Sequence, residues 1–157
     1  KRGEGPSSPL VPILGLRLVQ VQLCVVYLAT GLDKWATKSW QGGTALYYSL
    51  STEGYQRAAS IVEPFTTSDW GQDLLRVGTA ITLYWEVGFV LMILWRPTRW
   101  LALGMGVLIH IGIHITLMVG FFSFVSVWAY LSLLPYDWVE RLQLWREGRR
   151  RSGSARS

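Results

Sequence analysis

From Leu101 to Val119 the chain runs 19 residues without a formal charge, yet this run carries two histidines, in Leu-Ile-His110-Ile-Gly-Ile-His114-Ile-Thr. A hydrocarbon core of about 30 Å needs about 20 apolar residues at about 1.5 Å each, so the length suits a bilayer crossing. In lipid a lone segment must satisfy its own backbone polar groups, which leaves the helix. Imidazoles at that depth are costly and face protein or a water-filled cavity. Two further apolar runs of crossing length, Leu10 to Leu32 and Asp73 to Trp95, stand upstream. A fourth, Phe121 to Leu134, is shorter and stops at Pro135. It is tilted, half-inserted, or continuous with the third through a kink at Gly120. The expected fold is all-α: a polytopic membrane protein of about four transmembrane helices, an interfacial connection and a C-terminal amphipathic helix.

Composition supports this. The chain has 157 residues, enough for one domain, and 50% of them are hydrophobic. Most of the nine tryptophans flank apolar runs, where amphipathic rings prefer the membrane interface. The net charge of +5 is concentrated in Arg141, Arg146, Arg149, Arg150, Arg151 and Arg156. Beside a membrane segment such a tail reads as an anchor on anionic lipid, and no nucleic-acid partner is expected. A single cysteine, Cys24, excludes an intrachain disulfide and a multi-cysteine metal site. Lys1-Arg2 followed by an apolar run has the outline of a signal peptide. Arg17 and Gln20 interrupt that run, and no small-x-small cleavage site follows, so it reads as a retained helix.

The chain divides into a polar lead (1–9), a membrane domain (10–135), and an amphipathic helix with a basic tail (136–157). In the first helix Arg17, Gln20, Cys24, Tyr27, Gly31 and Lys34 recur at steps of three and four, one stripe on one face. Between Asp33 and Gln72 lies an interfacial connection anchored by Trp35 and Trp40. Within it, Thr44 to Leu50 is too short to cross and reads as interfacial or re-entrant. Tyr55 to Val62 reads as a short amphipathic helix stopped by Pro64, and Thr67-Ser68-Asp69 supplies N-capping chemistry. Arg96-Pro97-Thr98-Arg99 reads as a tight basic turn. Asp137 to Trp145 reads as a surface helix with Trp138, Val139, Leu142 and Trp145 on one face. With four crossings the basic turn and both termini share a side, and the positive-inside rule makes that side cytoplasmic, in a bacterial inner membrane.

The intramembrane ionisable residues are Arg17, Lys34, Arg76, Glu86, His110 and His114, with Gln20 beside Arg17. Glu86 is the acid well inside a span, where a carboxyl is neutral or paired. Three readings stand: a structural ion pair or hydrogen bond between helices; a metal held by His110, His114 and Glu86; and proton relay or acid–base work by the same set. The first is preferred and no metal is assigned, since no acid follows His110 as the zinc-protease pattern requires. Lys34, at a helix end beside Trp35, either snorkels to the interface or serves as a base, and snorkelling is preferred. The cofactor is left unassigned.

Several spaced positions match one family in order. Leu-Arg17-Leu-Val-Gln20-Val-Gln22-Leu, Tyr27-Leu-Ala-Thr-Gly31-Leu-Asp33-Lys34 and Trp40-Gln-Gly-Gly43-Thr-Ala-Leu-Tyr47-Tyr48 resemble the horizontally transferred transmembrane (HTTM) domain family, related to vitamin K-dependent gamma-carboxylase. The stretch from Glu86 through His110 to Gly120-Phe-Phe-Ser123-Phe is similar to its second half, and the resemblance covers residues 14–134. It implies that Lys34 stands where the carboxylase has its proposed base for reduced vitamin K. It also implies that His110 matches a family histidine and Glu86 an acidic position. Asp33 replaces a second lysine, and counterparts of the carboxylase's N-terminal helices and large lumenal domain are not found. The expected function is therefore a small non-catalytic accessory or structural subunit of a larger membrane complex, respiratory or photosynthetic in type, with lipids and other membrane subunits as partners. The rival is a carboxylase-like enzyme acting on a quinone- or lipid-like ligand, with Lys34 as base and Glu86 and His110 in support. A third reading puts a metal or haem on His110 and His114.

Overall fold

The computed structural model describes residues 10–134, apart from 53 and 55. The polar lead, the amphipathic helix expected after Pro135 and the basic tail lie outside the described residues. The fold is all-α, in the order α1 (Leu10–Ala36), α2 (Lys38–Gln41), α3 (Ala45–Ser51), α4 (Ala59–Thr67), α5 (Asp69–Leu94), α6 (Arg96–Thr116) and α7 (Phe122–Tyr130), closed by a 3-10 turn at Leu131–Leu133. Among the described residues the extended pairing is a single bridge, Gln56 with Leu117. Three helices, Ile13–Ala36, Asp69–Leu94 and Arg96–Thr116, are long and apolar enough to cross a membrane, and Phe122–Leu133 is a shorter apolar segment.

α1 packs along α5, α5 along α6, and α6 against α7, while α3 and α4 rest on the early turns of α5. The α1–α5 contact depends on Gly31. A Cβ there would stand 3.0 Å from the backbone nitrogen of Val87. Without a side chain at that point, α1 can lie on the α5 main chain. The core joins Leu23 and Tyr27 of α1 to Trp85, Phe89 and Ile93 of α5, Ala102 and Leu103 of α6, and Tyr130 of α7. A second cluster, Leu50, Val62 and Leu75, seals α3 and α4 onto α5. Outside these, large apolar side chains stand bare, including Leu14, Leu91 and Leu108, each more than 60% exposed. Such a surface suits hydrocarbon and not water.

Several local expectations are corrected. Residues 96–99 are not a free-standing turn but the first turn of α6. The reversal is made by Trp95 alone, which ends α5 and begins α6 in an extended conformation (φ −90°, ψ 116°). Pro97 fits there because the first helical N–H groups have no intrahelical partner to lose. Thr98 Oγ1 donates to Met92 O (2.8 Å) and Arg99 Nε to Ile93 O (3.0 Å), which satisfies carbonyls left open at the end of α5. Nor does Pro64 stop a helix: α4 runs through it to Thr67 and begins at Ala59, not near residue 55. The third crossing ends at Thr116, short of Val119. Leu117 turns extended to meet Gln56, and Gly120 takes φ +60°, the expected break. The capping expected at residues 67–69 is present, with Ser68 Oγ accepting from Gly71 N at 3.2 Å. It starts α5 at Asp69, one turn before Asp73. Trp85 departs from the interfacial pattern: it is buried, and its indole N–H donates to Ala102 O at 3.0 Å.

Candidate functional site

Lys34 occupies the last turn of α1 and Glu86 the middle of α5. Gly31 lies one turn before Lys34, so the close approach at Gly31 delivers the ammonium to the carboxylate. Lys34 Nζ donates to Glu86 Oε1, and Thr30 Oγ1 lies 3.2 Å from Glu86 Oε2. The Glu86 side chain is 8% exposed and that of Lys34 24%, so the pair is largely removed from solvent. The single residue Thr37 after α1 brings α2 back over this end, and the Trp40 ring centroid sits 4.7 Å from Lys34 Nζ. A cation held over an indole face at that range is attracted by the ring quadrupole. An ammonium has three N–H groups; with one given to Glu86, others remain for a ligand oxygen.

The pair forms one end of a cavity of about 400 Å³. Its walls are Leu46, Ser49 and Leu50 of α3, Gly78, Ile81 and Thr82 of α5, and Ile109, Gly112, Ile113 and Thr116 of α6, together with Trp40 and Leu117. An apolar chamber of this size with a few convergent polar groups is the usual form of a small-molecule site.

His110 belongs to a neighbouring cluster. Tyr27 Oη lies 2.8 Å from His110 Nε2 and is also hydrogen-bonded to Tyr130 Oη. Trp85 and Phe89 pack on the Tyr27 ring, with centroids at 5.0 and 4.4 Å. His110 Nδ1 and Ser123 Oγ are buried with no hydrogen-bond partner. Tyr130 fits only because residue 106 is glycine: a Cβ there would stand 2.5 Å from Tyr130 Oη and 2.8 Å from the Trp85 ring.

The structure thus joins Lys34 and Glu86 directly and places His110 on the Tyr27 side of α1, with no hydrogen bond from it to either. Arg17 lies apart, donating to Gln20 Oε1 at 3.0 Å, and Gln20 in turn donates to Ser132 O. Arg76 is exposed and pairs with Asp73 at 3.0 Å. His114 Nε2 accepts from Arg57 Nη1 at 3.2 Å, where the connection crosses the end of α6. Among the described residues no three His, Cys, Asp or Glu side chains gather as a metal site, so Glu86, His110 and His114 do not converge on one point. Residues not singled out as site members in the sequence are Thr30, Trp40, Tyr130 and the cavity glycines. Trp40 carries only the interfacial signal of its neighbours, and nothing local marks Tyr130. Tyr27 and Gly31 do share the α1 stripe with Lys34.

A helical bundle with a lipid-suited exterior, holding an ion pair at the end of an apolar chamber, defines an integral membrane protein with an internal cavity. The profile of the HTTM domain family matches residues 3–138, and the chain belongs to that family, as the spaced motifs implied. No curated protein and no solved structure matches the chain.

Proposed function

We propose that this protein binds an amphipathic quinone- or lipid-like molecule in the Lys34 cavity and handles a proton on its oxygen-bearing end. The observation that carries this reading is the Lys34–Glu86 pair at one end of the apolar chamber. A ligand oxygen reaching that end meets an N–H of Lys34 while its apolar body fills the walls. In this reading an acidic ligand hydroxyl, as in reduced quinones, gives its proton to Lys34 Nζ as Nζ passes one to Glu86 along the existing hydrogen bond. Tyr27 and His110 support the arrangement by holding α1 against α6 two turns away from Lys34. In this reading the protein lies in a bacterial inner membrane with both termini cytoplasmic, and the Lys34 end faces the opposite side.

Binding of decyl-substituted 1,4-benzoquinol to the purified protein in lipid nanodiscs is the test. Lys34→Ala and Glu86→Gln are expected to weaken binding, and Arg17→Ala to leave it unchanged. Equal binding by all four proteins would sink the reading.

A second reading, a non-catalytic subunit of a larger membrane complex, is supported by the outward face of α1. Leu14, Leu18, Val21 and Val25 stand exposed there, an unbroken apolar strip for another subunit's helix. Isolation from native membranes as a lone, stable monomer counts against it.

A further inference from the structure

A threonine hydroxyl in an apolar helix commonly returns to a carbonyl of its own helix, because little else nearby accepts its proton. Every threonine of this chain except Thr82 gives its hydroxyl to a backbone carbonyl, from Thr30 in α1 to Thr116 in α6. The Thr82 hydroxyl has no hydrogen-bond partner among the described residues. Yet Thr82 is half-buried and lines the chamber. It stands four residues after Gly78 and four before Glu86, which also line it, so the three share one face of α5. On that face the Glu86 carboxylate meets Lys34. Thr82 is thus a second polar group on the chamber wall, one helical turn and about 6 Å along the axis from Glu86.

We infer that Thr82 is a ligand-contacting residue: its hydroxyl hydrogen-bonds a second oxygen of the molecule whose first oxygen meets Lys34. This rests on the ligand-binding reading above and adds a second polar contact to it. A hydroxyl donates or accepts, so it serves a ligand hydroxyl and a ligand carbonyl alike. Unpaired against apolar walls it carries a desolvation cost, which a ligand oxygen removes. A ligand with oxygens about 6 Å apart, as on opposite carbons of one ring, reaches both groups. A ligand with one oxygen leaves Lys34 or Thr82 unmatched, and a site built to bond two oxygens discriminates against it. Two other threonines supply the controls. Thr116 lines the same chamber, but its hydroxyl is engaged by Gly112 O at 2.8 Å. Thr79 is buried, donates to Leu75 O at 2.8 Å and accepts from Leu46 N at 3.2 Å, so its hydroxyl serves the fold. Valine has the outline of threonine. Thr82→Val therefore removes the hydroxyl while breaking no hydrogen bond within the protein.

The experiment measures equilibrium binding in lipid nanodiscs of three probes, 2-decyl-1,4-benzoquinol and its one-oxygen analogues 2-decylphenol and 3-decylphenol, with the thermal midpoint of each variant. The unsubstituted protein is expected to bind the quinol more tightly than either phenol. Thr82→Val should weaken the quinol about fivefold, the worth of one neutral hydrogen bond. It should leave the tighter-binding phenol, which keeps the oxygen at Lys34, unchanged. Thr116→Val should alter the binding of none of the three. The midpoint should hold for Thr82→Val and fall for Thr79→Val, which strands Leu46 N. If Thr82→Val binds all three probes normally while Lys34→Ala has lost them, the contact at Thr82 is overturned and the ligand-binding reading stands. An equal loss across the three probes also overturns it, since the hydroxyl would then not be reading the second oxygen. So does a midpoint for Thr82→Val as low as that of Thr79→Val, since the hydroxyl would then belong to the fold. If the unsubstituted protein binds none of the probes, both readings fall together.

Discussion

Lys34 and Glu86, 52 positions apart, form an ion pair because Gly31 lets α1 rest on the α5 backbone at Val87. The pair is thus both a tie between the first two long helices and the polar end of the cavity. Removing one partner of a buried pair leaves the other uncompensated, whereas removing both leaves an apolar contact. Glu86→Ala is therefore expected to lower stability by about 3 kcal/mol. The double variant Lys34→Met with Glu86→Leu should recover most of that loss while abolishing ligand binding. Thermal midpoints in detergent read the first effect and nanodisc binding the second. A double variant less stable than Glu86→Ala would show that the tie contributes more than the desolvation it costs.

Gly31 itself makes a sharper test of helix approach. Gly31→Val places a branched side chain against main-chain atoms of Val87 that cannot rotate away, and should destabilise by about 2 kcal/mol. The same change at Gly15, on the same helix, meets nothing within 4 Å and should be nearly silent. Comparing the two midpoints separates lost helix contact from any general effect of valine in α1.

Gly106 and Tyr130 should behave as a coupled pair. Gly106→Ala forces a methyl into the Tyr130 hydroxyl and the Trp85 ring, and Tyr130→Phe removes the hydroxyl that the methyl strikes first. The two single changes are each expected to destabilise. Their combination should cost less than the sum, by about 1 kcal/mol, as neighbours sharing one space do. Strict additivity in a double-mutant cycle would contradict the contact.

Gly120 and Gly104 should respond to alanine in opposite directions. Neither has an atom within 4 Å of the Cβ position, so backbone conformation alone decides. Gly120 holds φ +60°, where an L side chain costs about 1 kcal/mol or more. Gly104 is helical, where alanine gains about 1 kcal/mol. A lower midpoint for Gly120→Ala and a higher one for Gly104→Ala are the expected outcome.

Much of the architecture is local and was therefore legible. Run length and hydropathy mark the three long helices, and spacing by three and four marks the α1 stripe on which Tyr27, Gly31 and Lys34 face protein. Ser68 chemistry marks the start of α5. The errors are also local in origin. Pro64 and Pro97 look like breaks, but each lies where a missing N–H is tolerated: near the start of α6 for Pro97, and at a single forgone bond in α4 for Pro64.

By itself the sequence determined that this is an all-α membrane protein of the HTTM family, with Glu86 and His110 among its costly intramembrane polar groups, while Lys34 read as snorkelling to the interface. Only the tertiary structure decided that Lys34 pairs with Glu86 while His110 pairs with Tyr27, and that a chamber opens between α3 and the α5–α6 groove. The reason is physical. Hydropathy and helical period are properties of neighbouring residues, readable along the chain. Which polar groups meet across helices depends on rotation and depth, and these are set by close contacts such as Gly31 on Val87 and Gly106 beneath Tyr130. No pattern within either helix records its partner.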